Sequence, residues 1–142
     1  MRLIAIKRLA VVLLAALPPV ALAACGEVVA TSSFKGENKA VAQIISNFQN
    51  DVSTANKGNI CQKDLASALT ARLNSASGGC QEVIKNQLGQ IDTFSLNINS
   101  ITVKGSSAQA QVKSTYSGKT RVSTLTLVKE GGKWKVSGVR AP

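Results

Sequence analysis

The sequence predicts an α+β domain in which about three N-terminal helices pack on a four-stranded antiparallel sheet. Three observations carry this. From Asn38 to Leu88 the apolar residues recur at helical spacing. From Asp92 onward the period switches to two, and Thr, Val and Ser become common. The strand-like segments are separated only by short turns, so sequential neighbours must pair antiparallel.

Val41, Ile44, Ile45, Phe48 and Val52 fall on one face of a first helix, for which Asn38 is a plausible N-cap. Lys57 to Asn59, KGN, interrupts it. A second helix is expected from Asn59-Ile60-Cys61-Gln62, an imitation of a capping box, with Ile60, Leu65, Leu69 and Leu73 on its buried face. After SASGG, Ser75 to Gly79, a short third helix uses Val83, Ile84 and Leu88. Phe94, Leu96 and Ile98 then share one strand face, while Ile101 and Val103 continue out of phase, which predicts a bulge near Asn99-Ser100. Lys104 to Ser106 turns the chain into a second strand carrying Ala108, Ala110 and Val112 as far as Tyr116. Ser117 to Lys119 turns it into a third, marked by Leu125 and Leu127. Glu130-Gly131-Gly132-Lys133 is a hairpin signal leading into Trp134-Lys135-Val136.

The first residues follow the three-part logic of an export signal: Arg2, Lys7 and Arg8, an apolar run from Leu9 to Leu17, and small residues from Ala21 to Ala24. The uncharged run is short for the roughly 20 residues a membrane span needs. Pro18-Pro19 would break it as a helix. Ala21-Leu22-Ala23 fits ordinary signal removal, whereas Leu22-Ala23-Ala24-Cys25 resembles the bacterial lipobox. That resemblance implies cleavage after residue 24, diacylglyceryl transfer to Cys25 and attachment to the outer face of the cell membrane, with two acyl chains giving stable anchoring. Residues 25–37 then read as a flexible tether, and 38–142 as one domain.

Lipidation of Cys25 leaves Cys61 and Cys80 to pair. In an oxidising compartment a structural disulfide is the expected state rather than a metal pair, because the spacing is wide and no further ligands cluster nearby. The bond makes a geometric demand. A straight helix from Ile60 to Leu73 would carry the chain about 20 Å away, yet the bonded Cα atoms must lie within ~7 Å. Either Ser75 to Gly79 runs back extended, or the helix breaks near Leu65.

Helices first, one of them long, then antiparallel strands ending in GGKWKVSGV at 131–139, with Cys61, Cys80 and Trp134 as its best markers: this order resembles the nuclear transport factor 2-like, or cystatin-like, superfamily. The resemblance implies a curved sheet wrapped around the helices as a cone, with a pocket between them. It includes isomerases and cyclases as well as proteins that only bind or scaffold, so fold alone does not assign a role. Phe94, Ala108, Ala110, Tyr116 and Trp134 are the candidate pocket-lining residues.

The chain has no histidine, which removes histidine-dependent nucleophile systems and the commonest zinc ligand. No cofactor and no metal are expected. An isomerase of the ketosteroid type needs a carboxylate facing an enclosed apolar cavity and an oxyanion partner. The chain offers Asp51, Asp64, Asp92 and Tyr116, with Asp92 or another acid expected beside Tyr116 in such a site, and each of the three is adequately explained as a solvated or capping acid. Without the first 24 residues the chain carries 14 Lys and Arg against 7 Asp and Glu, and eight of those cations lie from Lys104 onward. Lys129, Lys133 and Lys135 are expected on an outer sheet face, near Arg140, where they would meet anionic lipid or wall polymer. Nucleic acid is a poor partner for an exported chain without stacking aromatics. The leading expectation is a non-catalytic, lipid-anchored envelope domain that binds a ligand or partner, such as an envelope protein, through its concave sheet or its basic face; a small isomerase or cyclase, or a carrier of a small apolar ligand, is the alternative.

Overall fold

The first amphipathic segment forms α1, Gly36–Ser53, whose apolar stripe buries Val41 and Ile45 completely and leaves Ile44, Phe48 and Val52 half-buried against the core. The computed structural model describes residues 29–142. The expected signal at 1–24, Cys25 and the tether as far as residue 28 lie outside the described residues. Helix α1 starts two residues before the expected cap, with Lys35 at its N-cap. Val29, expected in a flexible tether, is instead a core residue at 2% exposure. Its branched apolar side chain gains from burial against the same core that α1 covers.

The expected break at Lys57 to Asn59 is misplaced. The chain turns at Thr54 to Asn56, with Ala55 in the left-handed region, and Lys57–Asn59 is itself a single helical turn, α2. Asn56, not Asn59, caps it, its side chain accepting the Asn59 N–H at 3.1 Å. Helix α2 continues into a π turn, Ile60–Asp64, after which Leu65 and Ala66 are extended. Leu65 forms a parallel bridge to Val136, and the Ala66 N–H donates to the Val136 carbonyl. A separate α3, Ser67–Asn74, follows, with the Glu130 carboxylate accepting from the Ser67 N–H and hydroxyl at its N-terminus. The single expected second helix is thus broken at Leu65, and this break satisfies the disulfide. Cys61 on the π turn and Cys80 on α4, Gly79–Leu88, are bonded with their Cα atoms 6.1 Å apart.

Strands β1, Phe94–Lys104, β2, Ser107–Tyr116, β3, Lys119–Glu130, and β4, Lys133–Arg140, form one antiparallel sheet in that order. The expected bulge is present where the β1–β2 register shifts between Ile98 and Ser100. A second shift, between Thr126 and Leu127 against Gly138 and Val136, leaves Ser137 unmatched in β4. Two bulges in one sheet bend and twist it, and the concave side receives α1. The Leu96 N–H donates to the Gln49 side chain at 2.6 Å, fixing α1 on β1.

The layers have two distinct ends. At one, the N-terminus of α1 meets the β3–β4 turn through Glu37, which accepts from Lys129 Nζ at 2.8 Å and from Trp134 Nε1 at 2.7 Å. At the other, Phe48 of α1 meets Phe94 of β1 edge to face, ring centroids 6.4 Å apart.

Candidate functional site

The Phe48 end opens into a cavity of about 280 Å³ between α1, α4 and the sheet. Phe48, Val52, Ile60, Ile84, Leu88 and Phe94 are among its walls, with Gln87, Ser114, Tyr116 and Ser123 as its polar members. No Asp, Glu, Lys or Arg lines it among the described residues. The wall composition follows from local structure. Helix α4 offers Ile84 and Leu88, one turn apart, and β2 and β3 alternate so that Val112, Ser114, Ser123 and Leu125 point to one side.

Of the expected pocket residues, Phe94 and Tyr116 line this cone. Ala108 and Ala110 do not: they are buried in the closed core with Val41 and Ile45, where side chains without bulk admit the helix. Trp134 is also a core residue, at 4% exposure, and its indole N–H is spent on Glu37. Asp92 is exposed and lies outside the cone walls, so it is not an acid in a pocket beside Tyr116.

Lys129 does not belong to the expected basic face. Lys129 shares the parity of Leu127 and pairs across the ladder with Trp134, so it lies on the inner side of the sheet, its ammonium 5.7 Å from the Trp134 ring centroid. Alternation along β3 dictates this, since residues two apart point the same way. Lys135 Nζ donates to the Gln62 carbonyl at 3.1 Å. Lys133 is exposed beside the β3–β4 turn, and Arg140 stands at the far end of β4, opposite Thr124. Lys133 and Lys135, alternate residues of β4, keep one face of the strand, and Lys129 and Arg140 lie apart from them.

A second cavity, about 480 Å³, opens on the other side of the π turn and is polar. Helix α1 contributes Asn47, Asn50 and Asp51; the turn contributes Gln62, Lys63 and Asp64; Lys133, Trp134 and Lys135 close it from β4. Asp51 and Asp64, expected as solvated acids, are 7% and 1% exposed. Asp51 Oδ1 accepts from Asn59 Nδ2 at 3.1 Å, whereas Asp64 Oδ2 is buried with no donor among the described residues. Burial, then the charge of Asp51 and its hydrogen bond to Asp64, push the Asp64 carboxyl up to about 7, against the opposing pull of Lys135 and Lys63. Glu37 behaves in the opposite way: hydrogen bonds from Lys129 and Trp134 hold its carboxyl below the usual range. The burial of Asp51 had a sequence signal in its spacing, because it follows Ile44 by seven residues and Phe48 by three, which places it beside the apolar stripe.

Among the described residues no group of three or more His, Cys, Asp or Glu is placed to hold a metal ion, and no helix is long and apolar enough to cross a membrane.

A family model described as "Putative lumazine-binding" matches residues 72–138. Among solved structures, a nuclear transport factor 2-like protein of unknown function from Shewanella baltica OS155 is 20% identical over 72% of this chain and 90% of its own, with a TM-score of 0.53. A second of unknown function, from Silicibacter pomeroyi DSS-3, is 12% identical over 78% and 95%, with a TM-score of 0.53. The fold is nuclear transport factor 2-like. A Streptomyces avermitilis protein of the same fold, described as a "putative dehydratase", is 10% identical over 71% and 91%, with a TM-score of 0.54. No curated protein matches the sequence.

Proposed function

We propose that this chain is a non-catalytic binding domain, tethered to the cell membrane through a lipidated Cys25, that takes a small and largely apolar molecule into its cone. The observation that carries this reading is the lining of the 280 Å³ cavity: hydrocarbon and aromatic walls, uncharged amide and hydroxyl groups, and no ionisable acid or base of the carboxyl or amine type. Such walls stabilise a ligand by removing its apolar surface from water, and a few polar groups suffice to orient it. General acid–base chemistry on a bound ligand would need a carboxylate or an amine within hydrogen-bond reach. Both buried acids line the polar cavity instead. The match to a family described as lumazine-binding fits a flat heteroaromatic ligand, and Gln87, Ser114, Tyr116 and Ser123 are the side chains that would meet its polar edge.

Helix α1 begins at the Glu37 end, where Lys35, Lys39, Lys104 and Lys133 are exposed. This end would face anionic head groups, each cation within the surface layer adding about 1 kcal/mol, and the cone would open away from the bilayer. Native mass spectrometry of the protein extracted from its host membrane tests both parts. The expected result is a diacylated Cys25 and a co-purifying small molecule. An unmodified N-terminus removes the anchor, and a protein that neither carries nor takes up any apolar compound removes the binding role.

A further inference from the structure

The π turn is a wall common to two cavities of opposite character. Ile60 faces the apolar cone, and Gln62, Lys63 and Asp64 face the polar cavity. On α1 the same division occurs between Val52 and Asp51, adjacent in the chain. Asp64 and Asp51 therefore join the two walls that the cone and the polar cavity share.

The chemistry of this junction is constrained. Two buried carboxyl groups, Asp51 on α1 and Asp64 on the π turn, line the same cavity. Two carboxylates without a proton have no hydrogen to place between them. Asp64 Oδ2 is buried and meets no donor among the described residues. The charged groups that face the pair are Lys63 on the turn itself and Lys133 and Lys135 on β4; α1 contributes Asp51, held at Oδ1 by Asn59. Lys135 donates to the Gln62 carbonyl, and no ammonium lies within hydrogen-bond distance of Asp64 Oδ2 among the described residues.

We propose that Asp51 and Asp64 share one proton, that this proton clamps the π turn to α1, and that ligand binding in the cone is thereby proton-linked. With the proton in place the turn is closed and Ile60 completes the cone wall. When it leaves, two like charges face each other across a poorly solvated gap and the turn separates from α1, which costs the cone its shape. The direction is fixed by the chemistry: binding strengthens as pH falls and weakens as pH rises through the neutral range. This proposal rests on the cone as the binding site.

Carboxyl carbon NMR of the protein, followed from pH 5 to pH 9, reads the shared proton directly. Hydrogen exchange of the Leu65 amide, bonded to the Ile60 carbonyl across the turn at 3.0 Å, reads the clamp. Titration with N-phenyl-1-naphthylamine, uncharged over this range, reads the cone. The expected result is an Asp64 carboxyl titrating near neutrality, faster Leu65 exchange above it than base catalysis alone gives, and about a tenfold loss of dye affinity, within the 5–150-fold range of measured couplings. Asp64→Asn, which keeps a hydrogen on the bond without an ionisation, should leave dye affinity flat with pH; Asp51→Asn serves if that variant fails to fold, and should move the Asp64 titration down. An Asp64 carboxyl titrating near 4 overturns the shared proton. Neutral titration with unchanged Leu65 exchange overturns the clamp, and with flat dye affinity it overturns the linkage. No dye binding at any pH overturns the binding role of the cone instead, while carboxyl titration and exchange still decide the proton and the clamp.

Discussion

The two cavities of this domain lie back to back on one turn of chain, and they differ in what holds them. The cone is walled by apolar and uncharged side chains, whereas the polar cavity holds two buried acids, of which Asp64 has its carboxyl raised by burial and by Asp51. The contrast teaches that a π turn, with one more residue per turn of hydrogen bonding than an α-helix, can present opposite chemistry on its two sides within five residues, Ile60 to Asp64.

The largest expected effect separates the two regions by pH. Asp64 has its folded-state carboxyl raised from 3.8 to about 7. The folded state therefore holds a proton that the unfolded chain gives up first. Stability from this group is fully present below the unfolded value, is lost as pH rises from about 4 to about 7, and is level above that. Across that interval wild-type unfolding free energy should fall relative to Asp64→Asn by about 1.4 kcal/mol per pH unit. Urea titrations at half-unit intervals measure the difference, and parallel curves would show the acid pair to be energetically silent.

Removing the Cys61–Cys80 bond acts on both regions together, since it ties the π turn to α4, which walls the cone. With a sequence separation of 19, the chain-entropy model gives a loss of roughly 3 kcal/mol for Cys61→Ser with Cys80→Ser. Dye affinity should fall with it, because α4 loses its covalent register to the turn. Unchanged affinity in a folded double variant would mean that packing alone positions α4.

The smallest effect lies away from both cavities. Glu37 accepts from Lys129 and Trp134 at the closed end, so Glu37→Gln should lower the melting temperature slightly, shift Trp134 emission to the red and leave the cone unaffected. The depressed carboxyl of Glu37 contributes above the ordinary carboxylate range and ceases to do so as pH falls through its lowered value. A loss of dye affinity in this variant would break the separation between the two ends of the domain.

Periodicity made the architecture legible. The stripe Val41, Ile44, Ile45, Phe48 and Val52 gave α1, and the phase change between Ile98 and Ile101 gave the first bulge, because both are local patterns that tertiary packing does not override. The second bulge at Ser137 had no such signal, since Gly138 follows it and apolar alternation in β4 is short. The break at Leu65 was foreseeable as one way to satisfy a disulfide, yet its form, a π turn followed by a β-bridge to Val136, depends on β4 having a free edge to receive it. Lys129 was assigned to the wrong side of the sheet although its parity with Leu127 was readable. The acid pair was hidden for a different reason: Asp51 and Asp64 are 13 residues apart in the chain, and only the turn at Thr54 to Asn56 brings them together. Chain spacing carries no record of that encounter.

The most direct test of the account is dye affinity in Ser123→Phe, compared at pH 6 with wild type and with Lys133→Glu. Ser123 is a half-buried cone residue on β3, so an aromatic ring there fills the cavity without removing a core side chain, whereas Lys133 lines the polar cavity alone. The account predicts that Ser123→Phe abolishes binding while the fold is retained, and that Lys133→Glu binds as wild type does. Equal binding by Ser123→Phe, or loss confined to Lys133→Glu, would place the ligand outside the cone and contradict it.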